Sequence, residues 1–250
     1  MIPPSARAAI LRPVTPRDER DAPYFARLVA GLAVERTPED TLEQVVARCL
    51  EVVEAADSAS LTLRRARGRL ETVGATEEVA RRADAAQLEV GEGPCLDSAL
   101  SREPHLVQDT ATDPRWPRWS RAAAALGVRS VVSVQLPAPQ SDDPAPRPVG
   151  AINLYSTRPG AFDRDDLDLA EVYATHAALA LSSARVVDGL EQAVRSRHLI
   201  GAAQGMLMQR YDLDLDQSFQ VLLRWSSHRN QPLRDLAEAI VERRESLDEA

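Results

Sequence analysis

The chain contains no lysine: all 30 of its basic residues are arginine, and 38 Asp and Glu outnumber them, giving a formal net charge of -8 over 250 residues. An acidic chain does not hold nucleic acid by bulk electrostatics, because nonspecific affinity comes from counterions released around phosphates. Any such recognition has to be local, and arginine suits that role by gripping phosphate bidentately and stacking on bases. Cysteine is nearly absent as well. Cys49 and Cys95 are the whole complement, too few for a disulfide scaffold or a zinc cage, so reduced thiols are expected. His105 and His176 have no partners at metal-ligand spacing, and neither a metal nor a cofactor is expected. No apolar run approaches the roughly 20 residues that span a bilayer. The opening MIPPSARAAILRP lacks a signal-peptide core, so a cytoplasmic protein without a membrane partner is expected.

What is present divides into two domains, the natural number for this length. Residues 1–22 mix prolines and scattered charges without apolar periodicity and read as a flexible leader. A helix is expected to open near Pro23, with Tyr24, Leu28 and Leu32 at helical spacing. After a break at Thr37-Pro38, a second helix repeats the pattern through Leu42, Val45, Val46, Cys49, Leu50 and Val53. Five strands are expected at Ser60–Arg64, Leu70–Gly74, His105–Gln108, Ser130–Leu136 and Gly150–Tyr155. Between them lie a GEGPCLDSAL turn and helix, a DPRWPRWSRAAAALGV segment and an exposed PAPQSDDPAPRP loop. The order predicts an α+β domain over residues 23–187, with an antiparallel sheet flanked by helices.

From Leu169 a long helix carries Leu169, Val172, His176, Leu179, Ser183, Val186, Leu190, Ala193, Arg197 and Ile200 at alternating spacings of three and four. This is a heptad seam with polar interruptions. Two readings stand: a dimeric coiled coil, or a stripe that closes each domain's own core. Residues 188–250 predict an all-α module of one long and two short helices. Gly201, Ala202, Ala203 and Gly205 would leave one helical face low and open, while Met206, Leu207 and Met208 fill the facing core. Asp214 with Gln217 has the form of a capping box. Pro232 suits the first turn of the last helix, with Asn230 or Gln231 before it as cap. Phe219, Leu222, Leu223, Leu233, Leu236 and Ile240 are core candidates.

The segment IG-A-x-G-M-L-M-x-R-Y, the hydrophobic helix with Phe219, Leu222 and Leu223, and N-x-x-L-R-D-L-A together resemble the ANTAR family of RNA-binding antiterminator modules. Two positions depart from the family's pattern: Gln204 stands where many members have lysine, and Asp212 where a glycine is common. The resemblance implies binding of messenger-RNA hairpin loops, commonly a pair engaged by a dimer, to control termination or access to a ribosome-binding site. Upstream, VGEGPC-D, D-x-RWP, GVRS-x-x-S-V-x-L and VGAINLYS-x-x-P-x-AF-x-x-D resemble a GAF domain over roughly residues 35–185. That implies a sensor for a small molecule or protein signal, and a homodimer formed through terminal helices.

The expected RNA-contacting set is Arg197, Gln204, Arg210, Ser227, Arg229, Asn230 and Arg234. Arginines hold loop phosphates or stack on bases, while amides and hydroxyls read base edges exposed in single-stranded loops. Arg234 has an alternative, a local ion pair with Glu238. Trp225 either packs in the module or stacks on an unpaired base. In the sensor, Cys95, Asp113, Trp116 and Trp119 are the ligand-binding candidates. Cys95 stands at or near a helix start that favours thiolate, or is a small buried residue beside the turn. Asp113, Arg115, Trp116 and Trp119 would order a loop over the sheet and line a small-molecule pocket at that end. No catalytic constellation is expected. The competing classes are a GAF-domain redox enzyme, which the two cysteines fit poorly, and a DNA-binding regulator, for which no recognition helix is evident.

Overall fold

A computed structural model describes residues 23, 26–27, 29–32, 37–101, 103–139 and 147–243. The leader at 1–22, Tyr24 and Leu28 of the first expected helix, and most of the proline-rich loop lie outside the described residues. The chain divides into two compact units, 1–185 and 186–250.

In the first unit, helix α1 (Pro38–Val52) starts where Thr37 Oγ1 accepts from the Asp40 amide at 3.1 Å, with Pro38 in its first turn. Then follow β1 (Ser58–Arg64), β2 (Leu70–Ala75), α2 (Glu78–Val90), α3 (Pro94–Ser101), β3 (His105–Val107), α4 (Pro117–Ala125), β4 (Ser130–Leu136), β5 (Gly150–Ser156) and the start of α5 (Arg164–Tyr211). The strands form one antiparallel sheet in the order β2-β1-β5-β4-β3. All five expected strands are present, within a residue or two of their expected ends.

Helix α2 was not expected from the sequence. Its buried positions are Ala80, Ala83, Asp84 and Gln87, spaced by three and four, but half of them are polar. A search for an apolar stripe therefore passes over it.

The strand period of two gives the sheet two different faces. Ala59, Leu61 and Leu63, Val132, Val134 and Leu136, and Ile152 and Leu154 form an aliphatic face. It packs on Val45, Val46 and Cys49 of α1 and on Leu167, Ala170, Tyr173, Ala174, Ala177, Ala178 and Leu181 of α5. The opposite face carries Ser60, Thr62, Ser133 and Asn153, all buried, beside the aromatic Tyr155. Helices α2, α3 and α4 cover that side.

Helix α5 thus meets the sheet with alanines and only a few large residues. The larger side chains assigned to the seam mostly point elsewhere: Val172, Leu179, Val186 and Leu190 are 45–63 % exposed.

In the second unit, the end of α5 packs with α6 (Leu215–His228) and α7 (Leu233–Arg243) around Ala203, Leu207, Leu222, Leu236, Ala237 and Ile240. Leu233, Met206 and Trp225 pack at the edge of that core, while Phe219, Leu223 and Met208 are half-buried. Gly201, Ala202 and Gly205 are exposed, and a side chain at either glycine would meet open space. The Asp214–Gln217 capping box is present, with the Gln217 amide donating to Asp214 Oδ1 at 2.7 Å and Gln217 Oε1 accepting from the Asp214 amide at 3.0 Å. Pro232 precedes α7 rather than opening its first turn, and its carbonyl accepts from the Leu236 amide.

Both α5 and α6 end in a left-handed residue that is not glycine: Asp212 (φ 51) and Asn230 (φ 47). The Leu213 amide returns to the Met208 carbonyl, and the Gln231 amide to the Ser226 carbonyl, the six-to-one bond of a Schellman stop. The missing glycine at 212 therefore leaves helix termination intact, since Asp and Asn tolerate this backbone better than other side-chain-bearing residues. Among the described residues, no helix is long and apolar enough to cross a membrane.

Candidate functional site

In the first unit the GEGPC motif is a junction for three helices. Gly91 (φ 72) ends α2 in the left-handed conformation. Glu92 turns its carboxylate onto the start of α4, where Oε1 accepts from the Arg118 and Trp119 amides, a charged cap on a helix with no cap of its own. At Gly93 (φ 150) an added Cβ would sit 2.2 Å from Gln87 Oε1, so only glycine leaves room for that amide. Gln87 Oε1 in turn accepts from the Cys95 amide at 2.8 Å. Asp97 accepts from Trp116 Nε1 at 2.8 Å.

Beneath this junction lies Asp84 of α2, fully buried. Its Oδ1 accepts from Tyr155 Oη and from Asn153 Nδ2 (3.0 Å), and its Oδ2 from Thr72 Oγ1 (2.9 Å) and Thr62 Oγ1 (3.2 Å). Asn153 also accepts from Ser133 Oγ and donates to Ser60 Oγ, tying three neighbouring strands into one row. Burial pushes the Asp84 carboxyl above the ordinary carboxylate range, and the hydroxyls of Tyr155, Ser60, Thr72 and Thr62 oppose that shift.

The four sensor candidates fall in this layer but do not open into it. Trp116 and Trp119 are core residues, edge-on to each other at 6.2 Å, and Trp119 Nε1 donates to the Ala83 carbonyl. Asp113 accepts from Arg115, whose guanidinium lies over Trp116 at 4.5 Å and donates to the Leu106 carbonyl at 2.7 Å. The loop ordering expected of Asp113 and Arg115 is thus present. Cys95 is buried, and burial, reinforced by the negative Asp84, pushes its thiol up to about 12. The thiolate expected of a helix start is therefore overruled by desolvation. Cys49 is also buried and free, and burial raises it to about 12. Burial disfavours the thiolate form of both cysteines. His105 lies edge-on to Trp116 at 5.3 Å, its Nε2 buried without a hydrogen-bond partner, and burial lowers its pKa. Among the described residues no cluster of three or more His, Cys, Asp or Glu is placed to hold a metal.

In the second unit the predicted polar set separates into two kinds. Arg197, Arg210, Ser227, Arg229 and Asn230 are exposed, and the Arg210 guanidinium lies 5.8 Å from the centre of the Tyr211 ring. Gln204 and Arg234 are half-buried. Gln204 Nε2 donates to the Leu215 carbonyl at 3.1 Å, tying α5 to the start of α6. The Arg234 Nε is buried without a hydrogen-bond partner. Arg229 caps α6, and Asn230 is its left-handed stop.

The sequence reading missed a groove of about 700 Å3 lined by Tyr211, Leu213, Val221, Arg224, Trp225, His228 and Arg229. Of these, Arg229 was in the expected contact set, and Trp225 was left between packing and base stacking. Val221, Arg224, Trp225 and His228 do follow the helical spacing of three and four, which was a signal available in the sequence. Their mixed chemistry obscured it.

Residues 35–182 match the GAF domain model, and residues 188–241 match the ANTAR domain model. No curated protein sequence matches the chain. Among solved structures, the GAF domain of an Acinetobacter phosphoenolpyruvate-protein phosphotransferase is similar at 13 % identity and a TM-score of 0.50, covering 67 % of this chain and 96 % of that one. A bacteriophytochrome from the photosynthetic bacterium R. palustris is similar at 12 % identity and a TM-score of 0.55, covering 83 % of this chain and 48 % of that one. The phytochrome photosensory core module of Stigmatella aurantiaca gives 11 % identity and a TM-score of 0.51, with 83 % and 46 % covered. At such identities the likeness is one of fold.

Proposed function

This chain belongs to the GAF and ANTAR domain-containing regulators, and from that premise we propose that it is a signal-responsive regulator that binds RNA hairpin loops. Residues 23–187 receive a small-molecule or protein signal, and residues 188–250 bind RNA to control transcription termination or translation. The observation that carries the reading is the ANTAR match over a folded three-helix unit that displays Arg197, Arg210, Ser227, Arg229 and Asn230 at its surface. These residue types suit unpaired loops, where phosphates, base faces and base edges are all accessible. In a chain of net charge -8 the binding is weak per module.

A homodimer offsets that weakness, because engaging two loops at once raises affinity through effective concentration. Val172, Leu179, Val186 and Leu190, exposed on one helix at seam spacing, support pairing of α5 with its copy. In the sensor, a signal acts on the layer that holds Asp84, Cys95, Asp113, Trp116 and Trp119.

Crosslinking the full-length protein to RNA in its own cell and sequencing the footprints tests the reading. Enrichment of stem-loops in transcript leaders or between genes is the expected result. Recovery of no structured transcript above a mock control overturns it.

A further inference from the structure

The groove beside α6 has the composition of a site for a single unpaired nucleotide. Tyr211, at the end of α5, is 40 % exposed, and Trp225 is a half-buried second aromatic in the lining. Val221 and Leu213 complete the apolar lining. Arg224, His228 and Arg229 stand around these rings, and no carboxylate is among the lining residues. The charged side chains of the lining are both arginines, in a chain that is acidic as a whole. A flat aromatic surface ringed by guanidinium and imidazole groups complements a base with its phosphate attached. It is a poor match for an apolar peptide without acidic groups, which gains nothing from two guanidinium groups. Its volume of about 700 Å3 lies within the roughly 300–1,000 Å3 typical of small-molecule sites, ample for one nucleoside monophosphate unit of a strand.

The walls are held in place by the fold. Tyr211 immediately precedes the left-handed stop at Asp212, and Arg229 immediately precedes the one at Asn230. The main chain beside both residues is therefore set by a chain reversal. Arg210 beside the Tyr211 ring adds a cation next to the stacking surface.

We propose that this groove captures one base flipped out of an RNA loop, stacked between Tyr211 and Trp225, with its phosphate held by Arg224, His228 and Arg229. The proposal rests on the RNA-binding reading above and deepens it, since it names the part of the loop that is gripped. It predicts that closed duplex RNA, which offers no flipped base, competes poorly.

The test uses the full-length protein and a pool of RNA hairpins with a constant stem and a fully randomised loop, from which the tightest-binding member is taken forward. Binding of that hairpin should quench Trp225 fluorescence and crosslink to a peptide within residues 211–229. Tyr211→Ala and Arg224→Ala, at exposed positions, should each weaken binding, with the loss of a stacked base costing about tenfold or more. Trp225→Phe should keep binding close to wild type and abolish the quench, whereas Trp225→Leu should lose both, with helix content checked by circular dichroism. If the hairpin binds but Tyr211→Ala, Arg224→Ala and Trp225→Leu all bind as wild type, the groove assignment falls and the RNA reading stands. Equal binding of the matching DNA hairpin overturns the RNA occupant. If the folded wild-type protein retains no hairpin from the pool, both fall together.

Discussion

The two faces of the sensor sheet are built from the same five strands and are both buried, yet they are held by different forces. On the α1–α5 side, eight aliphatic strand residues meet valines, alanines and Tyr173, whose hydroxyl donates to the Val45 carbonyl. On the α2–α4 side, hydroxyls and an amide from three strands converge on one carboxyl group, Asp84. The aliphatic face is stabilised by area removed from water and by packing, which are insensitive to direction. The polar face is stable only while its hydrogen-bond geometry holds, because each buried group left unpaired costs about 1–3 kcal/mol. A layer of that kind is suited to respond to a signal, since a small displacement breaks several bonds together.

The largest expected effect lies on the aliphatic face: Leu154→Ala should cost about 2–5 kcal/mol, the range for emptying a packed core position. Chemical denaturation of the full chain would measure it. On the polar face, Asp84→Asn keeps the side chain's shape and leaves about one of the four groups around it, Tyr155, Asn153 and two threonine hydroxyls, short of a partner, and should cost about 1–3 kcal/mol. A loss as great as that of Leu154→Ala would erase the distinction between the faces.

A smaller effect separates them by pH. Because the Asp84 pKa is raised in the folded protein, the folded state holds its proton longer than the unfolded state. This contribution to stability is complete below the ordinary carboxylate pKa and is lost as pH rises towards the raised value. Asp84→Asn should remove that component of the slope, whereas Leu154→Ala should leave it in place. Thermal melts across the acidic range would show both. The smallest effect belongs to the second unit, where Asp212→Gly should gain about 0.5–1 kcal/mol by relieving the left-handed backbone at φ 51. A loss of stability on that change would mean that the Asp212 side chain contributes more than its backbone conformation costs.

Strands with simple alternation were legible from sequence alone, as with Leu61 and Leu63 of β1 or the valines of β4. So was the capping box, because its two residues lie three apart and their chemistry is specific. Helix α2 was hidden by the property that makes it important, a buried stripe containing Asp84 and Gln87 where hydrophobic residues are the usual signal. Helix α5 carries two stripes: Val172, Leu179, Val186 and Leu190 of the expected seam are exposed, while the contact with the sheet is made largely by the alanines between them. Among the candidate residues, Arg197, Arg210, Ser227, Arg229 and Asn230 fall at the surface, as a polar pattern implies. Gln204 could not be recognised as a helix-to-helix tie, since its acceptor is a main-chain carbonyl eleven residues away. The groove at Trp225 depends on how α6 is set beside the end of α5, and spacing within one helix does not encode that.

The two cysteines fall one on each side of this sheet, Cys49 in the aliphatic layer and Cys95 beside Asp84. Each is sealed from reagents until its own layer parts. The chain thereby carries a matched pair of native reporters, and their alkylation rates under native conditions separate local breathing of one layer from that of the other. A stimulus that quickens modification of Cys95 while leaving Cys49 unchanged would locate the first movement of the sensor without any label being introduced.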